Sequence, residues 1–346
     1  MRAARPDKQK KILYRPTPQS IRKAVEILKQ GGLVAFPTET VYGLGAKALD
    51  DQAVRKIFAA KGRPADNPLI VHVAGADQID LLVTAIPPSA EALMERFWPG
   101  PLTLVFKRSH RVPAVVSAGL ETVAIRSPDH PVAQALIRGL GEPIAAPSAN
   151  RSGRPSPTRA EHVLEELGGV VPIILDGGPC KVGVESTVVD LVSDPPRILR
   201  PGAVTAEALQ EVIGDLIPFT PAKKIAESRS PGEKHRHYAP NLKMVLVPPQ
   251  KWESALNRWR RSGKRLGVLC RKSRSDLKGI DFYRPIRGGE AAYARGLFDA
   301  FVKAEAKGVD VLLVETIEKK GMGAAIMDRL ERAARGSGRK SSIQEE

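Results

Sequence analysis

Lys61 and Arg63, two apart in Lys61-Gly62-Arg63-Pro64 with Asn67 close behind, can contact neighbouring oxygens of a polyphosphate. Arginine offers a planar fork and lysine a point charge. The same cations also suit a bare helix C-terminus. The string Pro37-Thr38-Glu39-Thr40-Val41-Tyr42-Gly43-Leu44-Gly45 sets hydroxyls, a carboxylate and glycines just past an apolar strand. Ligands of α/β sheets bind at that edge, although a capped turn accounts for Thr38 and Thr40 equally well. Pro147-Ser148-Ala149-Asn150, then Ser152-Gly153 and Ser156-Pro157-Thr158, could form a backbone nest for an anion, or an ordinary polar loop. Arg126 ends a strand at 123–125, Glu185-Ser186-Thr187 precedes another, and Arg200-Pro201-Gly202 follows a third. His72 lies between valines, where a structural histidine is the commoner outcome. Taken together these describe a cleft rich in Arg, Lys, Ser and Thr. Such a cleft suits in-line displacement on a phosphate, where positioning and charge stabilisation do most of the work.

Other chemistries find little support. No GxxxxGK[ST] string occurs. Gly43-Leu-Gly45-Ala-Lys-Ala48 reads GxGxxA but does not directly follow a strand, and Gly321-Met-Gly323 lacks a third glycine. Cys180 and Cys270 are too few and too far apart for a disulfide framework or a zinc site. They fit a reducing, cytoplasmic setting. No apolar run approaches the ~18 residues of a membrane span, and no secretory leader is apparent. A formal net charge of +16 suits a solvated surface, or a polyanionic partner such as ATP or RNA. Its densest stretch is 251–287, with twelve Lys or Arg against three acids.

The elements that must position these residues alternate between helix and strand. Thr17-Pro18 can start a helix whose apolar stripe is Ile21, Val25 and Leu28, stopped by Gly31-Gly32. Asp50 or Asp51 can cap the next, with Val54, Ile57 and Phe58 inside and Gly62 at its end. Strands are expected at 33–36, 69–73, 102–106, 123–125, 144–146, 171–175 and 187–191, with helices near 89–97, 131–139 and 159–167. Residues 1–16 read as a basic arm and 17–214 as one α/β domain around a central sheet. Residues 215–241 are proline-rich and aperiodic, a long linker. Residues 242–346 form a second α/β unit, with strands at 244–247, 266–269 and 311–314 and helices near 251–261, 290–307 and 322–335. Trp252, Leu256 and Trp259 fall on one helical stripe, which argues for core packing rather than base stacking.

In order along the chain, PTETVYGLG, KGRP with Asn67, PSAN with SG and SPT, ESTVVD and RPG closely resemble the YrdC-type threonylcarbamoyl-AMP synthases. SPGEKHRHYAP and the stretch from Gly308 to Leu330 are similar to the longer, two-domain members. The resemblance implies a large domain with a twisted mixed sheet and a smaller Rossmann-like C-terminal domain. It implies that Lys61 and Arg63 are catalytic. Arg63, Asn67, Thr122, Ser148, Asn150, Ser156, Arg200 and Tyr238 would hold ATP. Thr40, His72, Arg126, Ala146 and Ser186 would hold L-threonine. Tyr238 would reach from the linker onto the nucleotide, making the linker a lid.

The implied reaction joins L-threonine and bicarbonate as a carbamate, which attacks the α-phosphorus of ATP and expels pyrophosphate, with Mg²⁺ assisting. The product would feed a downstream tRNA threonylcarbamoyl transferase machinery, and RNA or tRNA would touch the basic surface weakly. Two other readings remain: a carbamoyltransferase of the hydrogenase-maturation type, whose zinc-finger cysteines and acylphosphatase unit this sequence lacks, and a non-catalytic RNA-binding module.

Overall fold

A computed structural model describes residues 12–220, 237–275 and 278–337. The large domain is built on a mixed ten-stranded sheet of order β1-β8-β2-β3-β7-β4-β6-β5-β9-β10. In chain order these are β1 (Leu13–Tyr14), β2 (Val34–Phe36), β3 (Gly43–Lys47), β4 (Ile70–His72), β5 (Leu102–Lys107), β6 (Thr122–Arg126), β7 (Ile144–Ala145), β8 (Ile174–Leu175), β9 (Thr187–Asp190) and β10 (Arg197–Arg200). The second domain carries four parallel strands in the order β11-β14-β12-β13. They are β11 (Lys243–Val247), β12 (Leu266–Cys270), β13 (Phe282–Pro285) and β14 (Val311–Glu315).

Local chemistry accounts for the helix ends. Thr17 caps α1 (Pro18–Lys29) with a reciprocal Thr17–Ser20 box and Pro18 at the first position. Asp50 caps α2 (Asp51–Lys61) by accepting from the Ala53 amide, and Gly62 ends it at φ 59°. The remaining helices are α3 (Pro88–Phe97), α4 (Ala114–Ser117), α5 (Pro131–Leu140), α6 (Ala160–Leu167) and α7 (Ala206–Ile213), then α8 (Trp252–Arg260), α9 (Gly289–Ala306) and α10 (Met322–Gly336). Helices α1 and α5 cover one face of the large sheet, where Ala24, Val25 and Leu28 meet Val132, Leu136 and Ile137 over Phe36 and Ile144. The other face carries Val54, Ile57, Leu93, Val163 and Leu209 from α2, α3, α6 and α7.

In the second domain, alternate residues of β14 face opposite layers. Leu312 and Val314 pack with α9 and α10, while Val311 and Leu313 pack with Trp252 and Leu256 of α8. Burial on both faces is what parallel strands require.

Several elements lay outside the sequence expectations. Strand β3 occupies the glycine string, and the glycines serve packing. A Cβ at Gly45 would approach Ile144 and Phe36 to 2.7 Å. Strands β1 and β13 were unmarked because they are short and only partly buried. The basic arm's last residues therefore join the sheet, pairing Leu13 and Tyr14 with β8. At the linker's start, Ile217 donates its amide to the Pro196 carbonyl. The run Lys234-His235-Arg236 falls outside the described residues.

The two domains share a core. Val41 and Val184 of the large domain cluster with Tyr238, Tyr293, Phe298 and Ile326. Gly183, at φ 83°, makes this approach possible, since a Cβ there would sit 2.3 Å from the Arg295 Cα.

Candidate active site

The cavity lies where the loops after β2 and β7, the segment leading into β4, and the ends of β4 and β6 meet the strap 182–186 and the end of β10. The turn 38–41 is built by its own hydroxyl. Thr38 Oγ1 donates to the Val41 carbonyl at 2.6 Å and accepts from the Thr40 and Val41 amides. The strap is laid on this turn by Val182 and Gly183, whose amides donate to the Glu39 and Thr40 carbonyls. The 147–150 loop is tied in the same way, with Leu44 donating to Pro147 and Ala149 to Tyr42.

Arg63, Arg126 and Arg200 line one cavity together with Thr38, Thr40, His72, Ala146, Ser148, Glu185, Ser186, His237 and Tyr238. Arg63 donates through Nε to the Asn67 carbonyl at 3.1 Å and through Nη2 to the Pro68 carbonyl at 2.8 Å. Burial lowers its pKa to about 9, which leaves it charged at neutral pH. Arg126 is buried. Its Nη1 donates to Thr40 Oγ1 at 2.8 Å, its Nε to the Gly100 carbonyl at 3.2 Å, and its Nη2 lies 2.5 Å from Glu39 Oε1. Arg200 clasps Ser186 through the Ser186 carbonyl and hydroxyl, each at 3.1 Å. The Ser186 hydroxyl also meets Thr103 Oγ1 at 2.7 Å.

His72 is buried with Nδ1 3.2 Å from the Ile70 carbonyl, a contact that places the proton on Nδ1 because a carbonyl only accepts. Burial, and then the charge of Arg126, lower its pKa to about 3. An unfolded chain would take up the second ring proton below about pH 6.5. The contribution is therefore complete above that pH and declines as pH falls toward 3, by up to ~1.4 kcal/mol per pH unit. His72→Gln is expected to flatten this part of the stability profile in denaturant titrations between pH 6.5 and 4.5. An unchanged slope would show that His72 protonates in the folded state.

Five residues expected at the site do not line the cavity. Lys61 is buried, and its ammonium donates to the Ser148 and Asn150 carbonyls. Burial, reinforced by Arg63, depresses its pKa well below the usual lysine value. Its contacts make it a brace for the 147–150 loop. Asn150 uses its amide to bind the Arg151 and Arg154 carbonyls at 2.7 and 2.9 Å. Ser156 donates to Glu185. Asn67 is buried behind Arg63, and Thr122 opens β6, four residues from Arg126. Ala146 does line the cavity, but its amide is already committed to the Ile70 carbonyl.

Three groups escaped the sequence reading. Glu39 was visible in its motif, but its pairing with Arg126 was not. Glu185 lines the cavity. Burial alone would raise its pKa, yet Arg329 and Arg200 hold it below the usual carboxylate value. Arg329 comes from α10, and no local pattern marks a residue whose partner, Glu185, is 144 positions away.

Comparison with known proteins fits this geometry. Residues 26–202 match a family model described as telomere recombination, and residues 204–335 match one described as threonylcarbamoyl-AMP synthase, C-terminal domain. The threonylcarbamoyl-AMP synthase of Pyrococcus abyssi is 47% identical over 322 residues, covering 91% of this chain and 94% of its own. That of Bacillus subtilis is 45% identical, covering 91% and 93%. The crystal structure of P. abyssi Sua5 complexed with L-threonine superposes with a TM-score of 0.89 at 45% identity, covering 94% of this chain and 97% of that one. Fold and site together define a two-domain, adenylate-forming enzyme of the nucleotidyltransferase type. The chain belongs to the threonylcarbamoyl-AMP synthase family.

Proposed function

We propose that the cavity condenses L-threonine, bicarbonate and ATP into L-threonylcarbamoyl-AMP and pyrophosphate, for threonylcarbamoylation of a tRNA adenosine beside the anticodon. The observation that carries this is the convergence of Arg63, Arg126 and Arg200 on one cavity in a chain of this family. Two anions must react there, a carbamate and a nucleoside triphosphate, so neutralising charge is the physical problem. Arg63 and Arg200 meet the phosphates, with Tyr238 and Ser148 beside the nucleotide. Thr40, His72, Arg126 and Ser186 take the amino acid, and the relative bound to L-threonine supports that side. Asn67, Asn150, Ser156 and Lys61 act from behind by holding the loops, and Thr122 acts at the far end of its strand. Because Arg126 already carries Glu39, the threonine carboxylate adds to a paired guanidinium.

Among the described residues no group of three His, Cys, Asp or Glu could hold a metal ion. Among the described residues the one carboxylate lining the cavity, Glu185, is committed to Arg329 and Ser156. This donor set does not fit a resident divalent ion. Mg²⁺ would arrive on the phosphates of ATP instead.

Purified protein is expected to release pyrophosphate from ATP only when threonine and bicarbonate are both present. Valine should be used far less well than threonine, because a site that hydrogen-bonds a hydroxyl penalises its absence. Serine keeps the hydroxyl and loses only a methyl, so discrimination against it should be at most ~1–3 kcal/mol. Equal turnover of valine and threonine, measured in competition, would remove the threonine assignment.

The setting is cytoplasmic, with the product passed to a downstream transferase machinery. Among the described residues no helix is long and apolar enough to cross a membrane. The basic stretch 251–287 is proposed to touch RNA through phosphates alone. Its tryptophans are poor stacking platforms: Trp252 is buried under Arg274, and Trp259 is partly buried with Lys243 5.0 Å from its ring. Filter binding to RNA should fall steeply with salt. No binding at low salt would leave the stretch as a solvated surface.

A further inference from the structure

Arg329 belongs to α10 of the second domain, yet its side chain ends inside the large one. It is fully buried. Its Nε donates to Glu185 Oε2 at 2.8 Å, its Nη1 to the Pro201 carbonyl at 2.8 Å and to Asp328 Oδ2 at 2.9 Å, and its Nη2 to the Glu185 carbonyl at 3.3 Å. The guanidinium carbon lies 5.6 Å from the centroid of the Tyr238 ring. Every one of these contacts, the Asp328 bond excepted, is one residue or none from the cavity. Glu185 and Tyr238 line it, and Pro201 follows the lining residue Arg200.

A docking role would not need this residue. Arg154 pairs with Glu305 of α9 at 2.8 Å, Arg159 and His162 approach Asp299 at 3.3 and 3.4 Å, and Arg295 donates to the Lys181 carbonyl at 2.9 Å. These contacts join the domains away from the cavity lining. A fully desolvated guanidinium is a costly way to add to them, since burial of charge offsets much of what the pair returns. What the fork adds is direction. Three acceptors on two chain segments are held by one fork, with an aromatic ring 5.6 Å from its carbon.

We propose that Arg329 is a positioning residue for the reaction, through which the second domain fixes Glu185-Ser186, Arg200-Pro201 and Tyr238 in the arrangement that binds ATP and the amino acid. This rests on the reading of the cavity given above. The large domain supplies the lining arginines, but their geometry is complete only when α10 is seated. A lysine at 329 would keep the charge and lose the fork, so it isolates geometry from electrostatics.

The test compares full-length wild type, Arg329→Lys and Glu305→Gln, the last removing an interdomain pair that does not face the cavity. Circular dichroism and melting temperature report folding. Calorimetry gives ATP affinity, and pyrophosphate release gives KM for threonine and kcat separately. Arg329→Lys is expected to fold, to weaken ATP binding and to lower kcat/KM for threonine by at least about tenfold, with Glu305→Gln near wild type in both. Equal effects of the two substitutions, or wild-type ATP affinity and kcat/KM in Arg329→Lys, would overturn the proposal. If Arg329→Lys failed to fold, the neutral pair Arg329→Met with Glu185→Gln would decide it. Restored folding with weak ATP binding supports positioning, and restored folding with wild-type ATP binding overturns it. If wild type released no pyrophosphate with threonine and bicarbonate, the functional reading would fail, and ATP affinity alone would still judge Arg329.

Discussion

Alanine at Arg63 is expected to lower threonine-dependent pyrophosphate release by at least ~10²-fold, the effect of losing ~3 kcal/mol of transition-state stabilisation. The side chain reaches the cavity from the turn after α2, where Gly62 in the left-handed region ends the helix. Its Nε and Nη2 are spent on the Asn67 and Pro68 carbonyls, so the fork is held in place before any ligand arrives. Pre-orientation matters because a charge that need not reorganise acts at full strength as negative charge develops. Lysine at this position should recover part of the rate, since it supplies charge without the second anchor. Both variants should still fold, since the half-buried Pro68 carbonyl is open to water, at a cost of about 1–3 kcal/mol where the carbonyl of buried Asn67 loses this donor. A well-folded Arg63→Ala turning over at the wild-type rate would take the phosphate role away from this residue.

The reach of the sequence ended where contacts became long-range. Helix boundaries were legible from Thr17, Asp50 and Gly62, whose side-chain chemistry or backbone freedom acts within four residues. Strands such as β5 and β12 were legible as continuous apolar runs. Strand β3 was not, since Gly43-Leu44-Gly45 lacks the bulk that marks a strand. Only its packing against Phe36 and Ile144 explains why bulk is excluded there.

The motif residues nearest a strand end, Thr40, His72, Arg126, Ser186 and Arg200, do converge on one cavity. Lys61 and Asn150 sit in equally prominent strings, yet the Lys61 ammonium and the Asn150 amide nitrogen are spent on the 147–154 loop. Residue type and spacing mark a loop as chemically rich. They do not tell which side chains face the ligand and which hold the loop in shape. Glu39 and Arg329 show the same limit from the other side, because their importance lies wholly in distant partners.

The second large effect concerns that hidden partner of Arg126. Arg126→Ala is expected to abolish threonine-dependent turnover and also to destabilise the large domain by ~3–5 kcal/mol, because an uncompensated charge is left behind. Glu39 is 3% exposed and lies 2.5 Å from the guanidinium. With the arginine gone, its carboxylate has no counter-charge at that distance, and Thr40 loses the donor that orients its hydroxyl. The two consequences separate by a second substitution. Glu39→Gln in the Arg126→Ala background removes the stranded charge, so chemical unfolding should recover much of the lost stability. Turnover should stay lost, because the guanidinium proposed to meet the amino-acid carboxylate is still missing. Recovery of both would mean that Arg126 serves only to neutralise Glu39. Recovery of neither would mean that its bonds to Thr40 and Gly100 hold the turn in shape, and that the charge pair is secondary.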